Sequence, residues 1–151
     1  MDARDSMTRD VLVVPPELSL ELAWRLMQRR RIRHLPVTVG GVLIGILSDR
    51  DILVRAKLNE LGKLEVPNDP VSVGMTRDPE TCEMDVPVTE LAARMIEMKI
   101  DALPVIGPHR RLVGLVTSTD LLRLLRNQAP PARRLPFDFR LYHGEFVEEL
   151  T

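Results

Sequence analysis

Gly45-Ile46-Leu47-Ser48-Asp49-Arg50-Asp51 and Gly114-Leu115-Val116-Thr117-Ser118-Thr119-Asp120 answer each other along the chain. Each is an apolar run leading into a hydroxyl residue at a helix N-cap position. A carboxylate follows three residues later, in the first helical turn, where the helix dipole favours negative charge. A single [ST]-x-x-[DE] is no more than a common capping box. Here the two copies belong to a longer duplication. Met7-Thr8-Arg9-Asp10 and Met75-Thr76-Arg77-Asp78 lie 68 residues apart, as do Leu35-Pro36-Val37 and Leu103-Pro104-Val105, whereas Gly45 and Gly114 lie 69 apart. One residue has been added between the two hydrophobic runs of the second copy, and the chain is an internal repeat of one supersecondary unit.

The repeat has a readable grammar. Val11-Leu12-Val13-Val14 is a short strand stopped by Pro15-Pro16. Ser19 caps a helix from Leu20 to about Arg31, with Leu22, Ala23, Leu26 and Met27 at helical spacing. Arg29-Arg30-Arg31 falls in its last turn, where cations complement the dipole. Two strands follow, His34 to Val39 and Val42 to Leu47, across a Gly40-Gly41 hairpin turn. A second helix is expected from Ser48 to about Leu61. The second copy repeats the order: a strand over Glu80 to Met84, a helix from Val86-Pro87 through Met98, strands over Leu103 to Ile106 and Leu112 to Val116, and a helix opened by Thr117 that ends near Arg126-Asn127. Each half therefore reads β-α-β-β-α, an α+β unit whose helices cover only one face of a small sheet. The expected partition is 1–61 for the first repeat with an N-terminal arm, 62–73 for a linker, 74–127 for the second repeat and 128–151 for a tail. Phe137, Phe139, Tyr142 and Phe146 place every aromatic except Trp24 in that tail, which is expected to dock on the module, on a twin subunit or on another protein.

Composition bounds the function. The 151 residues have room for one compact domain or two small halves sharing a core. The formal charge of -1 lacks the basic excess of a nucleic-acid grip. No apolar run is long enough to cross a bilayer, and Met1-Asp2-Ala3-Arg4-Asp5 has no signal-peptide character, so a cytoplasmic protein without membrane contact is expected. The single cysteine, Cys82, cannot form an internal disulfide and fits that compartment. His34, His109 and His143 are widely spaced without partners at ligand spacing, so no metal site is expected. Neither a G-x-x-x-x-G-K-[ST] loop nor a G-x-G-x-x-G fingerprint occurs. With no nucleophile signature, base pair or metal set, the chain reads as a non-enzyme, and its seven methionines read as core filler.

The doubled "MTRD", "LPV" and "G-h-h-[ST]-x-x-D" elements, over about residues 6 to 127, resemble a pair of cystathionine-beta-synthase (CBS) domains, the tandem called a Bateman module. The resemblance implies two repeats related by a pseudo-twofold axis, a homodimer of two modules in a flat disc, and an adenosine-containing ligand (AMP, ADP or ATP) in clefts between the repeats. No further cofactor is implied. In that family the Asp holds the ribose, whose adjacent hydroxyls a carboxylate can accept, and the Ser or Thr holds phosphate at the helix mouth. Carried over, this names Ser48 and Asp51 in one site and Thr117 and Asp120 in the other. Thr8, Arg33 and His34 are the base-side positions of the first copy, and Thr76, Asp101 and Ala102 those of the second. Arg33-His34 against Asp101-Ala102 makes the two sites unequal. Leu121, Leu122 and Leu125 are candidates for the dimer interface. The competing readings are a ligand-free assembly module and the same pocket with S-adenosylmethionine or NAD.

Overall fold

The computed structural model describes residues 1–127 and 139–141. Of the aromatic tail, Phe137, Tyr142 and Phe146 lie outside the described residues. In chain order the elements are α1 (Ala3–Ser6), β1 (Val11–Val13), α2 (Leu20–Arg30), β2 (His34–Val39), β3 (Val42–Ser48), α3 (Asp49–Leu53), β4 (Lys57–Leu58), β5 (Leu64–Glu65), α4 (Val71–Gly74), β6 (Thr76–Arg77), α5 (Val88–Met98), β7 (Ala102–Ile106), a 3-10 turn (Pro108–Arg110), β8 (Leu112–Thr117), α6 (Ser118–Asn127) and β9 (Phe139–Leu141). β9 pairs with β1 in a two-stranded sheet.

These elements gather into two units that exchange their opening segments. One, here the Asp120 unit, takes Met1–Val11, Gly41–Leu43 and residues 79–127; the other, the Asp51 unit, takes Leu12–Gly40 and Ile44–Asp78. In the Asp120 unit the β7-β8 hairpin is flanked by Cys82, bridged in parallel to Val105, and by Thr8, bridged antiparallel to Leu115. In the Asp51 unit β2 and β3 are flanked in the same way by Val14, bridged in parallel to Val37, and by β6, which pairs Thr76 with Ile46 and Arg77 with Gly45. Each repeat thus lends its Met-Thr opening to the sheet that carries the other repeat's hairpin. α1 and α4 are equivalent single turns that precede these openings. Ala3 N–H donates to the Val86 carbonyl, and Val71 N–H donates to the Leu18 carbonyl. Part of the stretch expected as a linker, α4, is therefore structured and packed, with Val71 fully buried.

The cores occupy matching positions. Ala23, Met27, Leu35, Val37 and Leu47 cluster in one unit, and Leu91, Met95, Leu103, Val105 and Val116 in the other. Met7, Met27 and Met95 are buried in these cores, the gap-filling use to which an unbranched thioether is suited. Ser19 caps α2 by accepting from Leu22 N–H at 3.1 Å, and Gly40 and Gly41 turn the first hairpin at φ +56° and +81°.

Two expected elements are shorter than the sequence pattern predicts. The helix expected from Ser48 to Leu61 stops at Leu53, and β4 and β5 form a small hairpin instead. Asn59 Oδ1 accepts from the N–H groups of Leu61 and Lys63, both at 2.9 Å, and Gly62 takes φ +74°. That turn competes with helix for the same backbone, and the leucines that made the helical pattern, Leu58 and Leu61, are exposed and contribute little packing to oppose it. The strand expected over Glu80 to Met84 contracts to the Cys82 bridge, held by Cys82 N–H to the Pro104 carbonyl (3.0 Å) and Ile106 N–H to the Cys82 carbonyl (2.9 Å).

Candidate functional site

The end of each hairpin's second strand delivers a hydroxyl and a carboxylate to a helix start. Ser48 Oγ accepts from Asp51 N–H at 3.2 Å while Ser48 N–H donates to Asp51 Oδ2 at 2.8 Å, a reciprocal capping box. Thr117 and Asp120 repeat it at 3.3 Å and 2.8 Å, and the Thr117 hydroxyl also donates to Asp120 Oδ2 at 2.9 Å. The residue just before each hairpin is tied to the same place. Asp49 N–H donates to the Arg33 carbonyl and Ser118 N–H to the Asp101 carbonyl, both at 2.9 Å. Ala102 sits opposite Thr117 in the β7-β8 register, and His34 opens β2. Ser48, Asp51, Arg33 and His34 thus share one helix mouth, and Thr117, Asp120, Asp101 and Ala102 share the other.

Thr8 and Thr76 change sides. The repeat order groups Thr8 with Arg33 and His34, whereas the structure puts it at the opposite mouth. The Thr8 hydroxyl donates to Asp120 Oδ1 at 3.4 Å, and its backbone exchanges hydrogen bonds with Leu115 at 2.8 and 3.0 Å. Thr76 correspondingly pairs with Ile46, two residues before Ser48. Sequence order cannot reveal this exchange, because a strand's partner is chosen by burial and register rather than by its place in a repeat.

The motif glycines have a steric reason. Neither Gly45 nor Gly114 has positive φ; a Cβ on Gly45 would lie 2.6 Å from Met75 Sδ and 2.9 Å from the Thr76 carbonyl oxygen. On Gly114 it would lie 2.6 Å from Met7 Sδ and 3.1 Å from the Thr8 carbonyl oxygen. Close backbone approach is what the missing side chain permits.

The mouths are not equal. Asp120 is 6% exposed and also meets Arg123 Nη1 at 3.4 Å, an i,i+3 pair whose first-repeat counterpart position holds Val54. Arg123 is the site neighbour that repeat matching overlooks; its spacing from Asp120 is the signal that identifies it. Cys82 is buried and its thiol is pushed up to about 11, by burial first, with Arg94 opposing and Glu90 reinforcing. It stays protonated at neutral pH, the state of a packed thiol rather than a nucleophile. Among the described residues no three His, Cys, Asp or Glu side chains gather as metal ligands, and no helix is long and apolar enough to cross a membrane.

Comparison with known proteins places this geometry in context. The CBS domain model matches residues 3–57 and again residues 71–127. A CBS domain-containing protein of Dictyostelium discoideum is 33% identical over 128 residues, covering 79% of this chain and 87% of that protein. An inosine-5'-monophosphate dehydrogenase of Korarchaeum cryptofilum is 39% identical over 119 residues, but the match covers 79% of this chain and only 23% of the enzyme. Among solved structures, the CBS domain pair of protein MJ0100 in complex with 5'-methylthioadenosine and S-adenosyl-L-methionine superposes with a TM-score of 0.73 at 28% identity, covering 85% of this chain and 98% of that one. CBSX2 in complex with AMP gives a TM-score of 0.74 at 27% identity, with 85% and 98% covered.

Proposed function

The chain belongs to the CBS domain family, with one copy of the domain in each half, and from that premise we propose that it is a non-catalytic regulatory module that binds an adenosine-containing ligand. One observation carries the reading. Both hairpins end in a hydroxyl cap with a carboxylate one helical turn on, and proteins similar in fold and sequence are bound to AMP, to 5'-methylthioadenosine and to S-adenosyl-L-methionine. Asp51 and Asp120 accept from the ribose hydroxyls, Ser48 and Thr117 hold the adjoining group, and Thr76, Arg33 and His34 or Thr8, Asp101 and Ala102 border the base. The capping boxes engage Oδ2 of each carboxylate, and Oδ1 of Asp120 also meets the Thr8 hydroxyl and Arg123 Nη1, both at 3.4 Å, so a ribose hydroxyl there has to share or displace those contacts.

AMP, ADP or ATP is the proposed ligand. Binding acts by population shift: the ligand moves the equilibrium between arrangements of the repeats or subunits only as far as it prefers one of them. A homodimer through exposed Leu122 and Leu125 is part of the proposal, as is a cytoplasmic setting; Leu121, expected with them, packs instead against the core of its own unit. S-adenosylmethionine is the second reading, favoured by its presence on the CBS pair of MJ0100. Isothermal titration of the full chain with AMP, ADP, ATP and S-adenosylmethionine tests both. Heat from at least one ligand, abolished in Asp51→Ala/Asp120→Ala that keeps its far-UV dichroism, is the expected result. Silence with every ligand leaves an assembly module.

A further inference from the structure

The Asp51 unit carries one element that the repeat does not call for. Where the second copy continues as the ten-residue α6, the first ends α3 after five residues and adds the β4-β5 hairpin. Residues 60–65 of that hairpin are all exposed, and Leu58, Leu61 and Leu64 belong to no buried core. The sheet has only two strands, so β5 has a free edge.

The phase of the backbone fixes what that edge offers. Asn59 N–H donates to the Lys63 carbonyl at 2.8 Å and Lys63 N–H donates to Asn59 Oδ1 at 2.9 Å, so the backbone polar groups of Lys63 face β4. Antiparallel pairing alternates, and Leu64, opposite Leu58, therefore turns its N–H and carbonyl outward. Lys63 and Glu65 flank it and point to the other face of the hairpin, because side chains alternate along a strand. Among the described residues no ion pair holds either of these two side chains.

We propose that β5 is a self-recognition edge, which pairs antiparallel with β5 of a second copy about a twofold axis through Leu64. This surface is distinct from the α6 contact of the dimer proposed above, and it is independent of the ligand reading. Lys63-Leu64-Glu65 is its own charge complement when reversed. In that register the outward N–H of each Leu64 donates to the carbonyl of the other, and each Lys63 stands opposite the Glu65 of the other copy. Charges that guard an edge against association are commonly lysines, and a row of one sign repels a copy of itself. This edge carries one charge of each sign and attracts it. On the opposite face Leu58 and Leu64 of the two hairpins join in one strip and cover part of each other's apolar surface. The charge order, rather than the bare edge, selects a second copy over another extended chain.

The test is analytical ultracentrifugation of the full chain over a concentration series, in a Leu122→Ser/Leu125→Ser background that removes the helical contact. Both leucines are exposed, so the fold is expected to stand. This background is expected to dimerise as concentration rises, with amide exchange at Leu64 slowing in step. Lys63→Glu and Glu65→Lys each turn both cross-strand pairs from opposite to like charge, and each is expected to weaken association about tenfold. Mixing the two variants in equal amounts is expected to restore association, because each then meets opposite charge at both pairs. A background that stays monomeric at every concentration, association unmoved by both reversals, or no recovery in the mixture overturns the proposal. Adenosine-ligand binding is read separately by titration and stands or falls apart from these results.

Discussion

Replacing Gly114 by alanine places a Cβ 2.6 Å from Met7 Sδ, 3.0 Å from Met7 Cγ and 3.1 Å from the Thr8 carbonyl oxygen. Because Gly114 has no positive φ, the substitution carries no backbone penalty of its own, and any cost is steric. The Met7 thioether is the end of a flexible side chain and can swing aside, although Met7 is buried and has to displace neighbours in doing so. The Thr8 carbonyl can retreat only by lengthening the bond it accepts from Leu115 N–H, now 3.0 Å. Overpacking of this size costs about 1–3 kcal/mol, and a weakened backbone hydrogen bond about 1 kcal/mol, so Gly114→Ala is expected to lose about 2 kcal/mol. Urea unfolding checks the total, and amide exchange at Leu115 checks the place. A double-mutant cycle with Met7→Ala checks the cause. Met7→Ala removes both side-chain contacts, so the cost of Gly114→Ala is expected to fall by about half in that background. A loss below about 0.5 kcal/mol, or additive losses in the cycle, refutes the close-approach explanation of the motif glycines.

Thr38, 3% exposed in β2, has a hydroxyl without a hydrogen-bond partner, so the near-isosteric Thr38→Val is expected to raise stability by about 1 kcal/mol in urea unfolding. The Cys82 thiol, raised from 9.0 to about 11, holds its proton in the folded state at a pH where the unfolded chain has lost it. Its contribution is therefore complete below pH 9 and is lost as pH rises toward 11, on the order of 2 kcal/mol in all. Stability measured at pH 7 and pH 10.5 is expected to fall further in the unmodified chain than in Cys82→Ala. Arg123→Ala is expected to cost less than about 1 kcal/mol, because Arg123 is 60% exposed and its partner Asp120 keeps the Thr117 bonds. Thr117→Ala, which removes the cap itself, is expected to cost about 1 kcal/mol or more by thermal denaturation, and the reverse order of the two would contradict the capping geometry.

Much of this protein is legible before any coordinate is known. The repeat shows in the sequence as matched offsets, and the helix capped by Ser19, the Gly40-Gly41 turn and the apolar run around Leu35-Pro36-Val37 are local signals, each written in residues that lie within a few positions of one another. The same locality makes the paired Ser48-Asp51 and Thr117-Asp120 boxes readable, since a cap is a contact between neighbours in sequence. What reads wrongly is also instructive. The apolar spacing through Leu58 and Leu61 has the period of a helix, but periodicity states a preference and a core must reward it. With those leucines exposed, Asn59 and Gly62 decide the local backbone.

Tertiary structure alone decides which parts meet. Thr8 lies beside its own repeat's residues in sequence yet hydrogen-bonds to Asp120, and Thr76 joins the strand that carries Gly45 and Ile46. No local preference encodes that exchange. It follows from the free edge of each hairpin, which pairs with the segment that brings a methionine, buried Met7 or partly buried Met75, against a bare glycine.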